Sequence, residues 1–271
     1  RVFLLGATAG RTTLMGEGLQ HQDGHSLLLA TAIPACQAYD PAFAFEVAAI
    51  VQHGITKMYG EDPADIFYYI TLYNENIPMP AQPSHVSTQD IINGLYRWAP
   101  AASGTAQASI LFSGSAFTAA SEAATILRTK YSIDVDLWSA TSYKSLRDDA
   151  MEVERWNRLH PTEKKRRPHV DTMLGATTAP VVAVTDFLRI VSEQVATFVP
   201  SRRFLSLGTD GMGRSDTREA LREYFETNAP HIVIAVLFSL IGSHGVTKEV
   251  VAQAIIDLNI NPDAVHSLTR D

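Results

Sequence analysis

The N-terminal part of the chain contains short apolar runs and one segment in which apolar positions recur at helical spacing. Val2–Ala7 is a short apolar run that predicts a buried strand, followed by a glycine-rich loop. From Phe43 to Met58 the apolar side chains recur at helical spacing, which predicts a helix. Asp40 is its candidate cap, and Pro41 suits the first helical position. The β-branched and aromatic run Asp65–Tyr73 predicts a second strand.

A short helix from Thr88 to Trp98 and a small, polar linker at 99–107 are predicted next, and strands then alternate with helices. The later strands are predicted at 108–114, 135–140, 180–186 and 204–210. The later helices are predicted at 115–131, 142–160, 187–199, 217–226, 231–241 and 248–258. This alternation predicts an α/β fold with a mostly parallel sheet covered on both faces.

Composition narrows the class of protein. The chain has 271 residues, 46% hydrophobic and 19% charged, which is typical of a globular protein. Its net charge of −7 disfavours nucleic acid as a partner. Cys36 is the single cysteine, so the sequence allows no internal disulfide, and the apolar run Ile232–Ile241 is too short to span a membrane. Because an apolar run opens the chain without a methionine, we expect an N-terminal part of a longer protein to be missing.

Two polar loops have ordinary structural explanations. The glycine spacing in Leu207–Glu219 matches neither a dinucleotide fingerprint nor a triphosphate loop. A tight turn in which Asp216 or Thr217 caps the next helix is the favoured interpretation. His160–His169 contains four consecutive basic residues, and a solvated loop balanced by the acidic segment before it explains them.

The stretch Gly16–Ser26 is the third candidate loop, because it holds His21, Asp23 and His25. Its glycines disfavour a helix and no third ligand is near, so a zinc site is a weak hypothesis. A histidine can donate or accept a proton near neutral pH, and ligands of open α/β sheets bind at strand ends. A structural role for these histidines stays open on the residues alone.

Several long segments resemble one enzyme family. Gly10–Ser26 resembles the signature of the homodimeric pyruvate dehydrogenase decarboxylating component, a transketolase-like thiamine diphosphate enzyme. Further segments that resemble the same family, in order, are Tyr39–Val51, Tyr68–Pro83, Glu154–Pro161 and Leu207–Glu219. The resemblance implies the end of a pyrimidine-binding middle domain at 1–98 and a transketolase C-terminal-like domain at 108–271, joined by the linker 99–107.

The resemblance also implies a function. His25 is expected to be catalytic, with His21 and Asp23 in contact with substrate. The activity implied is oxidative decarboxylation of pyruvate and reductive acetylation of a lipoyl group, with thiamine diphosphate and Mg²⁺. The family's diphosphate motif is absent, so the main cofactor-binding residues are expected outside this chain, which would be inactive alone.

The implied partners are a second copy of the chain, in a homodimer, and a dihydrolipoyl acyltransferase in the cytoplasm. Two alternatives stay open, a non-catalytic dimerisation or assembly module and a transketolase-type sugar enzyme.

Overall fold

The computed structural model describes residues 1–17, 19–175, 178–201 and 203–269, whose strands form two sheets. The three-stranded sheet, in the order β1-β3-β2, is parallel and consists of β1 Phe3–Ala7, β2 Cys36–Tyr39 and β3 Phe67–Leu72. The five-stranded sheet, in the order β4-β6-β5-β7-β8, consists of β4 Tyr96–Ala99, β5 Ala108–Phe112, β6 Val135–Ser139, β7 Val181–Val184 and β8 Phe204–Leu207. Only β4 is antiparallel to its neighbour among the described strands, so the predicted α/β class is confirmed.

Helices surround both sheets. They are α1 Ser26–Thr31, α2 Ala44–Tyr59, α3 Thr88–Asn93, α4 Phe117–Tyr131, α5 Tyr143–Leu159, α6 His169–Leu174, α7 Ile190–Glu193, α8 Arg218–Tyr224, α9 Ala229–Ser239 and α10 Lys248–Asp257. The described part of the chain contains no helix that is long and apolar enough to cross a membrane.

The central strand β5 separates two parts of the core. Ile110 and Phe112 are fully buried in the cluster that includes the apolar faces of α4 and α9. Leu111, which points to the other face of the sheet, is buried in the cluster that includes α5 and α6. A strand covered on both faces therefore needs the continuous apolar sequence that β5 has.

The predicted start of α2 was wrong. Asp40 does not cap the helix, because its buried carboxylate accepts hydrogen bonds from Thr71 at 2.6 Å and from Tyr73. The helix begins instead at Ala44, where Glu46 turns back and accepts the backbone N–H of Phe43 at 2.9 Å.

The predicted helix from Thr88 to Trp98 was also wrong in its second half. Gly94 ends α3 with a φ of +103°, a left-handed conformation that glycine adopts without strain. The chain then enters β4, which pairs with β6. Thus β4 belongs to the five-stranded sheet although it begins before the predicted linker 99–107. The division of the chain at that linker stays a prediction.

Three further elements differ from the predictions. β1 is an edge strand with β3 as its neighbour, so Leu4 and Leu5 are 47% and 58% exposed rather than buried. The predicted helix at 187–199 is divided into α7 and a 3₁₀ turn at Ala196–Phe198. The short helix α6 was not predicted.

Candidate functional site

An open cleft of about 380 Å³ lies at the carboxyl end of β1, between residues 6–9 and the loop before α1. We call residues 20–25 of that loop the histidine loop. His21, Asp23 and His25 all line the cleft, together with Tyr69 of β3. The structure therefore brings together the three side chains that the sequence singled out, at the kind of strand end where α/β sheets bind ligands.

Asp23 organises the histidine loop. Its Oδ1 accepts the backbone N–H groups of His25 at 3.0 Å and Ser26 at 2.9 Å. The Ser26 hydroxyl donates to Oδ2 and in turn accepts the Tyr69 hydroxyl at 2.9 Å. Asp23 thus fixes the backbone of His25 at the start of α1, and this is a positioning task that needs no contact with a ligand.

The two histidines of the cleft differ in their surroundings. His21 is half exposed, and its Nε2 lies 3.7 Å from a carboxylate oxygen of Glu17. His25 is exposed at the N-cap position of α1, and among the residues that the structure describes none hydrogen-bonds to its ring. Both nitrogens of His25 are accordingly available to a molecule in the cleft.

A second loop, residues 208–217, packs against this region, and we call it the glycine loop. The buried Arg11 donates from Nη1 to the carbonyl oxygens of Thr209, at 2.6 Å, and Gly211. The Gln22 amide donates to the carbonyl of Arg214 and accepts its backbone N–H. Sequence reasoning missed these contacts, because Arg11 and Thr209 are 198 residues apart and each loop has an ordinary local explanation.

The helix cap in the loop Leu207–Glu219 and the solvent exposure of residues 160–167 are as predicted, whereas no ion pair among the described residues joins the basic run to the acidic segment before it. The hydroxyl of Thr217 accepts the N–H of Ala220 at 3.2 Å and caps α8. In His160–His169, the Arg166 guanidinium lies 3.8 Å from the centre of the Trp156 ring, and Arg167 pairs with Asp171 at 2.6 Å.

A buried carboxylate, that of Asp186, contacts the segment of the chain that precedes the histidine loop. Asp186 is 3% exposed and accepts the backbone N–H of Thr12 at 3.1 Å and the Ser115 hydroxyl at 3.2 Å. Burial raises the pKa of Asp186 to about 7, although the nearby Arg222 cation opposes that change. Asp186 therefore connects the second sheet to the segment that leads into the histidine loop.

The cleft residues do not fit a site for Mg²⁺ and a diphosphate. Within the described ranges no three histidine, cysteine or acidic side chains are arranged to hold a metal ion. The polar groups that line the cleft are two imidazoles, a carboxylate engaged by its own loop, the Tyr69 ring and the side chains of Thr8, Gln20 and Gln22. These groups suit a small molecule with a carbonyl or carboxylate oxygen that accepts a hydrogen bond.

Two family models match most of the chain. Residues 1–80 match the pyruvate dehydrogenase E1 component middle domain, and residues 94–228 match the transketolase-like C-terminal domain. The pyruvate dehydrogenase E1 component of Mycolicibacterium smegmatis is 47% identical over 255 residues, which are 94% of this chain and 27% of that protein. That of Escherichia coli K12 is 45% identical over 98% of this chain and 30% of its own length.

Solved transketolases share the fold. The transketolase of Campylobacter jejuni superposes with a TM-score of 0.62 at 18% identity, over 87% of this chain and 31% of that one. A split-gene transketolase, described as an inactive tetramer of beta subunits, superposes with a TM-score of 0.56 at 20% identity. The superposition covers 88% of this chain and 66% of that one. The chain spans roughly 30% of the length of the curated relatives, and its sequence places it in the pyruvate dehydrogenase E1 component family.

Proposed function

We propose that the complete natural polypeptide carrying this sequence is a pyruvate dehydrogenase decarboxylating component. It would decarboxylate pyruvate oxidatively and acetylate the lipoyl group of a dihydrolipoyl acyltransferase. The family membership supports the reaction class. The observation that carries the proposal is the cleft, because His25 lies at its rim with both ring nitrogens available and with its backbone held by Asp23.

His25 is the proposed catalytic residue. Its imidazole donates a hydrogen bond to a substrate oxygen or moves a proton there, and histidine does both near neutral pH. His21 supplies a second donor at the same cleft and is proposed to contact the substrate. The Asp23 carboxylate accepts from the loop backbone, so its proposed role is to orient His25 and to close the pocket.

Thiamine diphosphate with Mg²⁺ is the proposed cofactor of the complete protein, and when bound it would stabilise the carbanion that decarboxylation produces. The described residues do not fit a Mg²⁺–diphosphate site, so we assign none of them to holding that group. We also propose a homodimer that works in the cytoplasm with the acyltransferase. Family membership supports these partners, as it does for the reaction.

Substrate choice tests the proposal, because the transketolases share the fold. The complete polypeptide, loaded with thiamine diphosphate and Mg²⁺, is assayed with pyruvate and lipoylated acyltransferase, and separately with ketose and aldose phosphates. The proposal predicts acetylated lipoyl groups in the first assay and no two-carbon transfer between sugars in the second. Sugar-phosphate turnover without pyruvate turnover would contradict it.

A further inference from the structure

We propose that Arg11 and Gln22 are positioning residues for His25, because they fasten the histidine loop to the glycine loop of the second half of the chain. The contacts of Arg11 and Gln22 are observed in the structure whatever reaction the protein catalyses. Only their effect on turnover rests on the proposed function. The C-terminal half would then govern the geometry of the cleft without lining it.

Arg11 packs against the histidine loop at Gly24. Arg11 is 7% exposed, and its side chain lies directly against Gly24, where an added Cβ would overlap the guanidinium. The same guanidinium donates to the carbonyl oxygens of Thr209 and Gly211. Gly24 lies between Asp23 and His25, so a displacement of Arg11 transmits directly to both.

Gln22 fastens the loop on the other side of Asp23. Gln22 is 5% exposed, and its side-chain amide pairs with the backbone of Arg214 through one donated and one accepted hydrogen bond. The Leu188 N–H donates to the carbonyl of Gly24 at 2.8 Å. Groups from residues 188–214 therefore hold the chain immediately before and immediately after Asp23, the residue that sets the backbone of His25.

The charges favour the same arrangement. Burial lowers the pKa of Arg11, and the carboxylates of Asp210, Asp23 and Asp186 act in the opposite direction. A lysine at position 11 would keep the positive charge among these carboxylates, but it lacks the planar guanidinium that lies against Gly24. A methionine of similar length would lose the charge and both hydrogen bonds.

The test uses Gln22→Leu, Arg11→Met and Arg11→Lys in the complete natural polypeptide. Amide hydrogen exchange of peptides that cover residues 19–29 measures the loop directly, and kcat and KM for pyruvate measure its consequence. We expect faster exchange in these peptides, and in those that cover the glycine loop, in Gln22→Leu and Arg11→Met, together with a fall in kcat of about 10- to 100-fold with KM nearly unchanged. Arg11→Lys should retain more of kcat than Arg11→Met.

Gln253→Leu is the matched control, since Gln253 is exposed on α10 and pairs there with Asp257. It should change neither exchange nor kcat. Unchanged exchange at residues 19–29 and unchanged kcat in Gln22→Leu would overturn the positioning role, even if Arg11→Met failed to fold. If the polypeptide did not turn over pyruvate at all, the proposed function would fail, whereas the exchange measurement would still decide whether the loops are fastened together.

Discussion

Asp186 allows a quantitative prediction, because its carboxylate is buried and the physical cause of its altered pKa is known. Replacing it by asparagine removes the titration but keeps the shape. Burial raises the pKa of Asp186 from 3.8 to about 7 in the folded protein. Between those two pH values the folded state retains a proton that the unfolded chain has lost, so stability falls as pH rises through this window and levels off above it.

The size of the effect follows from the difference of about three pKa units. Each unit corresponds to about 1.4 kcal/mol, so the contribution of Asp186 changes by up to about 4 kcal/mol between pH 4 and pH 8. The amide that replaces the carboxyl group in Asp186→Asn does not titrate. As the pH rises from 4 to 8, the wild type should therefore lose up to this amount of stability relative to Asp186→Asn. The free energy of unfolding of the variant minus that of the wild type should increase accordingly.

Urea denaturation of both proteins at half-unit steps of pH measures this difference. Taking the difference removes the contributions of other buried carboxylates, since burial also raises the pKa values of Asp40 and Glu46 in both proteins. Asp62→Asn, at an exposed aspartate, is the control for the substitution itself. A difference between Asp186→Asn and wild type that stays constant from pH 4 to pH 8 would refute the reasoning.

Two further predictions concern the connection between the sheets. Glu46 is fully buried and accepts four hydrogen bonds, from the hydroxyls of Tyr96 and Ser139 at 2.6 Å and from two backbone N–H groups. Glu46→Ala should therefore lower the free energy of unfolding by about 3 kcal/mol or more, and Glu46→Gln should lower it by less. Gly94→Ala should lower it by about 1–3 kcal/mol, because φ is +103° and the new Cβ would lie 2.5 Å from the carbonyl oxygen of Ser142. Denaturant unfolding at pH 7 checks both, and wild-type stability in Glu46→Ala or Gly94→Ala would contradict the contact concerned.

Sequence periodicity predicts most of the second sheet because its determinants are local. The continuous apolar run of β5 and the hydroxyl cap of α8 at Thr217 each arise within a few residues. The same local logic failed at Asp40, where a good capping signal is overridden by hydroxyl donors from β3 and the residue after it, which lie 31 and 33 residues away. It failed again after Gly94, where pairing with β6 decides that the chain becomes a strand.

The candidate site shows the same division. The spacing of His21, Asp23 and His25 identifies a polar loop, and the structure places all three at one cleft. The support of that loop could not be predicted, because Arg11 and Gln22 find their partners 192 to 200 residues away in a loop whose own sequence indicates only a turn.

Replacement of His25 tests the central claim most directly. His25→Ala is prepared in the complete natural polypeptide, with His85→Ala, an exposed histidine outside the cleft, as its control. Pyruvate-dependent acetylation of the lipoyl group is measured together with the urea midpoint. We predict that His25→Ala lowers turnover by roughly 100-fold or more at an unchanged midpoint, whereas His85→Ala keeps wild-type activity. Wild-type turnover in His25→Ala would contradict the assignment of this cleft as the active site.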